Sequence, residues 1–359
     1  MIEIPSDCRL VFCVGVGGVG KTTFSAALGL REALRGRSVL VLTADPARRL
    51  ADALGVDRLV DVPSDVPLPD GSSCGELHAA MLETKASADE IIRRAASNAD
   101  RAQRVLDNRI YQAFSSTLAR SHAYAAMERV HETTHDDRYD LIVVDTPPAQ
   151  SSIEILDAPA RLVSFLDQRV VRWFLRASDE PSRLAGGTIA QRLLKAVAGD
   201  SLVAALTEFL TEMAFLRKGF AERASALHQL MQSEKTRFVL VSSAEPVGIE
   251  AARSVAAEVA DRGFELAHVV FNRAFVPEVD VSTDRTDTYP PSLVRLAPKL
   301  RQMRAWLAAE QAWKTSSMRA LCQELDVPTW ALPEGNRPLG STSALAAWID
   351  RVRAIKPTG

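Results

Sequence analysis

The chain of 359 residues is poor in the features that mark several large protein classes. It has four cysteines, Cys8, Cys13, Cys74 and Cys322, and no two of them form a C-x-x-C pair. That scatter argues against a thiolate zinc site within one chain, and it makes a reducing cytoplasm the expected setting. Charge of one sign is also lacking. Forty-three basic and 45 acidic residues leave a formal net charge of −2. Neither nucleic acid nor an anionic membrane is favoured as a bulk electrostatic partner. No apolar stretch is long enough to span a bilayer. The opening Met-Ile-Glu-Ile-Pro-Ser-Asp has neither the basic nor the apolar region of a signal peptide, so none is expected. No internal repeat and no low-complexity tract is found. What remains is the balance of an ordinary globular protein, 47% apolar and 25% charged, long enough for two domains or one large one.

Short apolar runs rich in Val and Ile predict buried parallel strands at Leu10–Val14, Val39–Leu42, Leu141–Val144, Phe238–Val241 and Val269–Phe271. They are continuous rather than alternating, as strands covered on both faces are. A last strand is expected at Val327–Leu332, before a loop at Pro333–Gly340 and a helix from about Ser343. Helical patterns lie between the strands. Thr23–Arg35 is closed by Gly36, and Val247–Arg262 by Gly263. The alternation predicts an α/β sheet, mostly parallel, with helices on both faces. Two stretches break it. Ala86–Asp137 is almost wholly helical in pattern, and Ala158–Glu234 is long, helical and rich in Phe, Leu and Met. The expected division is a core of 1–157 and 236–359, in which 85–137 is mostly helical, with 158–235 inserted as a helical subdomain. Pro277–Pro291 is expected to be an exposed loop.

The most specific motif is Gly15-Val-Gly-Gly-Val-Gly-Lys-Thr-Thr23. It fits the phosphate-loop pattern G-x-x-x-x-G-K-S/T, with Gly15, Gly20, Lys21 and Thr22 in the defining places. It follows an apolar run and opens a helical one, the context a genuine phosphate loop requires. Glycines allow backbone N–H groups to converge on phosphate oxygens, and the helix behind offers its positive end. Lys21 is placed to reach the outer phosphates and Thr22 to ligate Mg²⁺. Leu141–Asp145 has the shape of a Walker B strand, whose terminal Asp145 can hold Mg²⁺ directly or through water. Pro147 and Pro148 stiffen the loop that follows. Asp45 ends the second expected strand. Two roles are open to it: orienting the attacking water, or capping the helix that carries Leu50, Ala53 and Leu54.

Together these strings resemble the ArsA-like ATPases, the arsenical-pump and tail-anchored-protein-targeting family within the deviant-Walker-A P-loop ATPases. The matching residues are 15–23, Asp45–Gly55, Asp145–Pro148, Leu156–Pro159 and Asn272-Arg273. Ala123–Val130, with Met127-Glu128, is similar to bacterial members. The resemblance implies a P-loop NTPase fold, ATP and Mg²⁺ as ligands, and a dimer. It implies a triphosphate cradle of Gly17, Gly18, Val19, Gly20, Lys21, Thr22 and Thr23. Asp45 corresponds to the first switch aspartate, which positions water, and Asp145 to the second. Asn272 corresponds to an adenine-reading asparagine; by itself it reads as a turn residue at a strand end. Pro333–Asn336, including Glu334, corresponds to the segment over the base.

The chain departs from that family in three places. Val16 stands where the family has a lysine that reaches the other subunit's nucleotide, so no charge is offered there to a phosphoryl-transfer transition state. Arg48 or Arg49 can substitute, or both can be solvated helix-face residues. A partner subunit that keeps the lysine is the third option. The zinc-binding C-x-x-C of the targeting branch is missing. No arsenite-type cysteine set is recognisable, although Cys74 and Cys322 could meet in space. In the helical insert, apolar residues cluster at 165–175 (Phe165, Leu166, Val170, Trp173, Phe174, Leu175) and at 202–216 (from Leu202 and Val203 to Leu216). They read as the insert's own core or as a groove for a hydrophobic client. The expected protein is a cytoplasmic Mg²⁺-dependent ATPase working as a nucleotide-switched homodimer or heterodimer. The alternatives are a weakly hydrolysing subunit paired with a lysine-bearing paralogue, and a targeting factor for hydrophobic helices.

Overall fold

The computed structural model describes residues 2–45, 47–69, 75–81, 89, 92–93, 96, 98–112, 122–146, 200–274, 297–334 and 339–356. Pro46, Cys74, Pro147-Pro148, Leu156–Pro159, the apolar cluster at 165–175, the loop at 277–291 and Asn336 lie outside the described residues.

Leu10–Val14 forms strand β1, buried along its whole length. Successive side chains of a strand point to opposite faces, so a run without polar residues has to be covered twice. Leu10, Phe12 and Val14 enter one core, with Leu40, Ile142, Phe238 and Phe271. Val11 and Cys13 enter another, with Phe24, Leu28, Val41, Val143 and Val239. Around β1 the described residues build one nine-stranded sheet. Its strands are β2 (Ser38–Thr43), β3 (Ser64–Asp65), β4 (Glu76–Met81), β5 (Leu141–Asp145), β6 (Thr236–Ser243), β7 (Leu266–Asn272), β8 (Thr329–Ala331) and β9 (Arg353–Ile355). The order is β3-β4-β2-β5-β1-β6-β7-β8-β9, antiparallel only where β3 and β9 pair at the two edges. This is the mostly parallel α/β sheet expected from the sequence.

The helices α1 (Lys21–Leu34), α2 (Arg49–Leu54) and α8 (Thr342–Ile349) cover the face of Val11. On the other face lie α4 (His122–Thr134), α5 (Asp200–Met231), α6 (Pro246–Asp261) and α7 (Ala297–Leu325), with α3 (Ala99–Asp107) packed on α5. The chain after α1 and α6 turns at Gly36 and Gly263, as expected. Helix α5 runs through 32 residues. Its last turns place Leu227 and Met231 in the sheet's core. Further back, Glu212 is held by Arg101 and Arg104 of α3.

Three strands were not expected. β4 reads Glu-Leu-His-Ala-Ala-Met, a helix-favouring composition made extended by its parallel pairing with β2. The Nε2 of its buried His78 meets Asp65 at 2.7 Å and Arg138. β3 and β9 are too short to carry a periodic signal. They exist only as edge partners. The strand expected at 327–332 shortens to β8, because Pro328 lacks the N–H that would extend the ladder.

Candidate functional site

The first functional residues lie where β1 ends against β6 and β5. Gly15 leaves the strand at φ +145°, and a Cβ there would sit 2.0 Å from the carbonyl oxygen of Val241. Gly20 caps α1 in the left-handed region, φ +90°, and its Cβ would sit 2.2 Å from Nδ2 of Asn272. The loop thus needs glycine at both places, for space as well as for dihedral angle. Asn272, the last residue of β7, fixes the loop from behind. Its Nδ2 donates to the Val19 carbonyl at 2.8 Å, while its Oδ1 accepts from the Arg273 N–H at 2.8 Å.

Lys21 folds back over this loop. Its Nζ donates to the carbonyls of Gly15 and Val16, each at 2.9 Å. Burial lowers its pKa from the ordinary lysine range, and the charge of Asp145 acts in the opposite sense. Asp145, at the end of β5, is wholly buried. Thr43, opposite it on β2, donates to Oδ2 at 2.9 Å; Ser25 of α1 lies 3.4 Å from Oδ1. Burial pushes the carboxyl up to about 6, against hydrogen bonds from Thr22 and Thr43 and the nearby Lys21. A buried carboxylate touching the hydroxyl of Thr22 is a hard-oxygen donor pair, the type Mg²⁺ prefers, and a cation there would favour the ionised form.

Asp45 follows β2. Its N–H donates to Thr43 Oγ1 at 3.2 Å, its Oδ1 accepts from the Ala47 N–H at 3.0 Å, and its Oδ2 pairs with Arg49 at 3.3 Å. Of the two roles open to Asp45, the helix cap is not seen. The N-cap of α2 is Arg48, without a side-chain bond, because Asp45 closes its own tight turn before the helix begins. The two adjacent arginines part company. Arg48 turns to the Asp57 carbonyl, whereas Arg49 faces the phosphate loop.

Two cavities flank the loop. One, of about 590 Å³, brings together Gly18, Gly20, Lys21, Thr22, Thr23 and Asp45, with Arg49, Asp52, Thr146 and Arg273. The other, of about 530 Å³, opens on the α6 and α7 side and is lined by Val16, Gly17, Gly18, Val19, Glu245, Lys314 and Glu334. Asp145 lies beneath the first and is joined to it through Thr22. Asn272 stands behind the loop with both polar atoms engaged. Pro333 is buried, its carbonyl taken by Trp348 of α8 at 3.0 Å, and it lines neither cavity. Sequence reasoning missed Thr43 and Ser25, the hydroxyls that hold Asp145. The only signal for Thr43 was a hydroxyl at the end of a strand that proves to lie in register with the strand-end aspartate.

Strand β1, a glycine loop closed by Lys21 and Thr22, and a buried strand-end aspartate beneath them define a P-loop nucleoside triphosphatase at the carboxyl edge of a parallel sheet. Comparison with known proteins narrows the class. The model of the ArsA ATPase family, the anion-transporting ATPases, matches residues 8–287. The chain belongs to this family and is an ATP hydrolase. It is similar to the ATPase get3 of Aspergillus terreus, 26% identical over 271 residues that make up 75% of this chain and 74% of that one. It is equally similar, 26% over 308 residues, to the uncharacterized protein SCO2128 of Streptomyces coelicolor, with 84% and 70% of the two chains covered. An ATPase ASNA1 homolog of Cryptosporidium parvum is 25% identical over 75% of this chain and 66% of its own length. Among the described residues no helix is long and apolar enough to cross a membrane.

Proposed function

We propose that this ATP hydrolase is a cytoplasmic, Mg²⁺-dependent, nucleotide-switched dimer that couples ATP binding and hydrolysis to movement of the helical segment 158–235. The observation that carries the reading is the meeting of Lys21, Thr22, Thr23 and Asp45 in one cavity over Asp145. Backbone N–H groups of Gly17 to Thr23 cradle the phosphates. Lys21 exchanges the carbonyls of Gly15 and Val16 for phosphate oxygens. Thr22 and Asp145 would hold Mg²⁺, the second directly or through water. When bound, that ion draws charge from the β- and γ-phosphates. Asp45 orients a water in line with the γ-phosphorus and takes its proton. The new P–O bond forms as the bond to the bridging oxygen breaks, leaving ADP and phosphate. Asn272 and Glu334 serve the base side, with Pro333 anchoring the segment that carries Glu334. Asn272 would have to release the Val19 carbonyl or the Arg273 N–H to read adenine directly.

The homodimer is tested by sedimentation of the purified chain with a non-hydrolysable ATP analogue and with ADP. A dimer favoured by the triphosphate supports the switch; one mass in both conditions refutes it. Val16 favours a second reading, a slowly hydrolysing subunit that pairs with a lysine-bearing paralogue. It packs against the apolar core and brings no charge to the loop. Mg²⁺-dependent, single-turnover hydrolysis by the pure chain, abolished by Lys21→Ala, rules that reading out. A hydrophobic helix is the client chemistry we assign to the insert. It requires ATP-sensitive binding of transmembrane peptides.

A further inference from the structure

The cavity over the phosphate loop holds more positive charge than the loop motif accounts for. Arg49 enters it from α2, close enough for its charge to oppose that of Lys21. Like charges gathered around one cavity repel each other until an anion arrives between them. Each has a substitute partner meanwhile. Lys21 has two backbone carbonyls, and Arg49 has Oδ2 of Asp45 at 3.3 Å. The second pair is loose: 63% of the Arg49 side chain and 19% of the Asp45 side chain remain exposed. Exposed pairs of this kind are weak, and a guanidinium binds a phosphate oxygen through shorter, charge-assisted bonds. Arg273 also lines the cavity, from the end of β7, but the pair with Asp45 is made by Arg49.

We propose that Arg49 is a phosphate-binding cation supplied by the same chain, and that its ion pair with Asp45 is a resting latch opened by the γ-phosphate. The inference rests on the reading of this cavity as the triphosphate site. At rest both carboxylate oxygens of Asp45 are occupied, Oδ1 by the Ala47 N–H and Oδ2 by Arg49. Each oxygen of Asp45 then has a partner with which a water must compete. A γ-phosphate draws Arg49 away, and one movement places a cation on the developing charge and frees Oδ2. ADP brings no γ-phosphate and leaves the latch shut. Val16 offers no charge from the loop, which leaves room for such a second cation.

The test uses the full chain and compares wild type, Arg49→Ala, Arg49→Lys and Asp45→Asn. Calorimetry gives the ATP and ADP dissociation constants, and rapid quench gives the single-turnover rate. Arg49→Ala is expected to weaken ATP about tenfold and slow turnover about 100-fold, while ADP binding shifts less than about twofold. Arg49→Lys recovers part of the ATP affinity. Asp45→Asn separates a latch from a scaffold. It removes the competing carboxylate, so ATP should bind about threefold tighter while turnover falls about 100-fold. Equal losses for ATP and ADP in Arg49→Ala, or weaker ATP binding by Asp45→Asn, would overturn the inference. So would turnover by Arg49→Ala at the wild-type rate. Failure of the wild type itself to bind ATP is a separate result: it brings down the triphosphate reading, and this inference with it.

Discussion

On one flank of the phosphate loop Arg49 pairs with a single carboxylate and leaves 63% of its side chain in water. On the other, Lys314 of α7 is 10% exposed and gripped by Glu245 at 2.7 Å and Glu310 at 2.9 Å. Both cations border a cavity of similar size against the same six-residue turn. They differ in what it takes to move them. A cation shared by two carboxylates has two contacts to give up at once, whereas a single exposed pair exchanges partners at small cost. Chemistry that needs a cation to change partner therefore belongs on the α1 and α2 flank. The α6 and α7 flank has the character of a clamp.

The hardest way to break this contrast is to remove the cation nearest the phosphates. Lys21→Ala should cut ATP turnover at least about 10³-fold, measured by phosphate release, with the fold intact by circular dichroism. Gly20→Ala comes next. Its Cβ would collide with Asn272 at a left-handed φ, so a loss of about 3 kcal/mol in urea unfolding is expected, with weaker ATP binding. Thr43→Val takes one hydroxyl from the buried Asp145 while keeping shape. It should cost about 1–2 kcal/mol and raise the Mg²⁺ concentration needed for half-maximal hydrolysis. The smallest effect belongs to the clamp. Lys314→Met should leave turnover within about twofold of wild type and change stability by less than about 1 kcal/mol. A large loss of turnover in Lys314→Met would erase the distinction between the flanks.

What could be read in advance follows the same physical line. β1 and β5 are central, parallel and covered twice, so their residues have to be apolar, and the run itself discloses them. The glycines of the loop are equally legible, since Gly15 and Gly20 have no room for any substitute. β4 is the counterexample. A Glu, a His and two Ala become a strand only because β2 offers an edge, which no local pattern records. Arg48 and Arg49 look alike in sequence and are separated by where α2 starts, two residues after Asp45 closes its turn. Thr43 becomes a ligand of Asp145 only through the register of β2 on β5.

Helix α5 has a mechanical consequence. Thirty-two residues of continuous helix make a rod of about 48 Å. One end is seated in the sheet by Leu227 and Met231, and the other leads out of residues 151–199. A rod of that length is a magnifying lever. A tilt of about 5° at the seated end carries the far end through about 4 Å, close to the 5.4 Å rise of one helical turn. A displacement at the nucleotide too small to break any packing contact in the sheet would be large enough, at Asp200, to open or close a gap the width of a side chain.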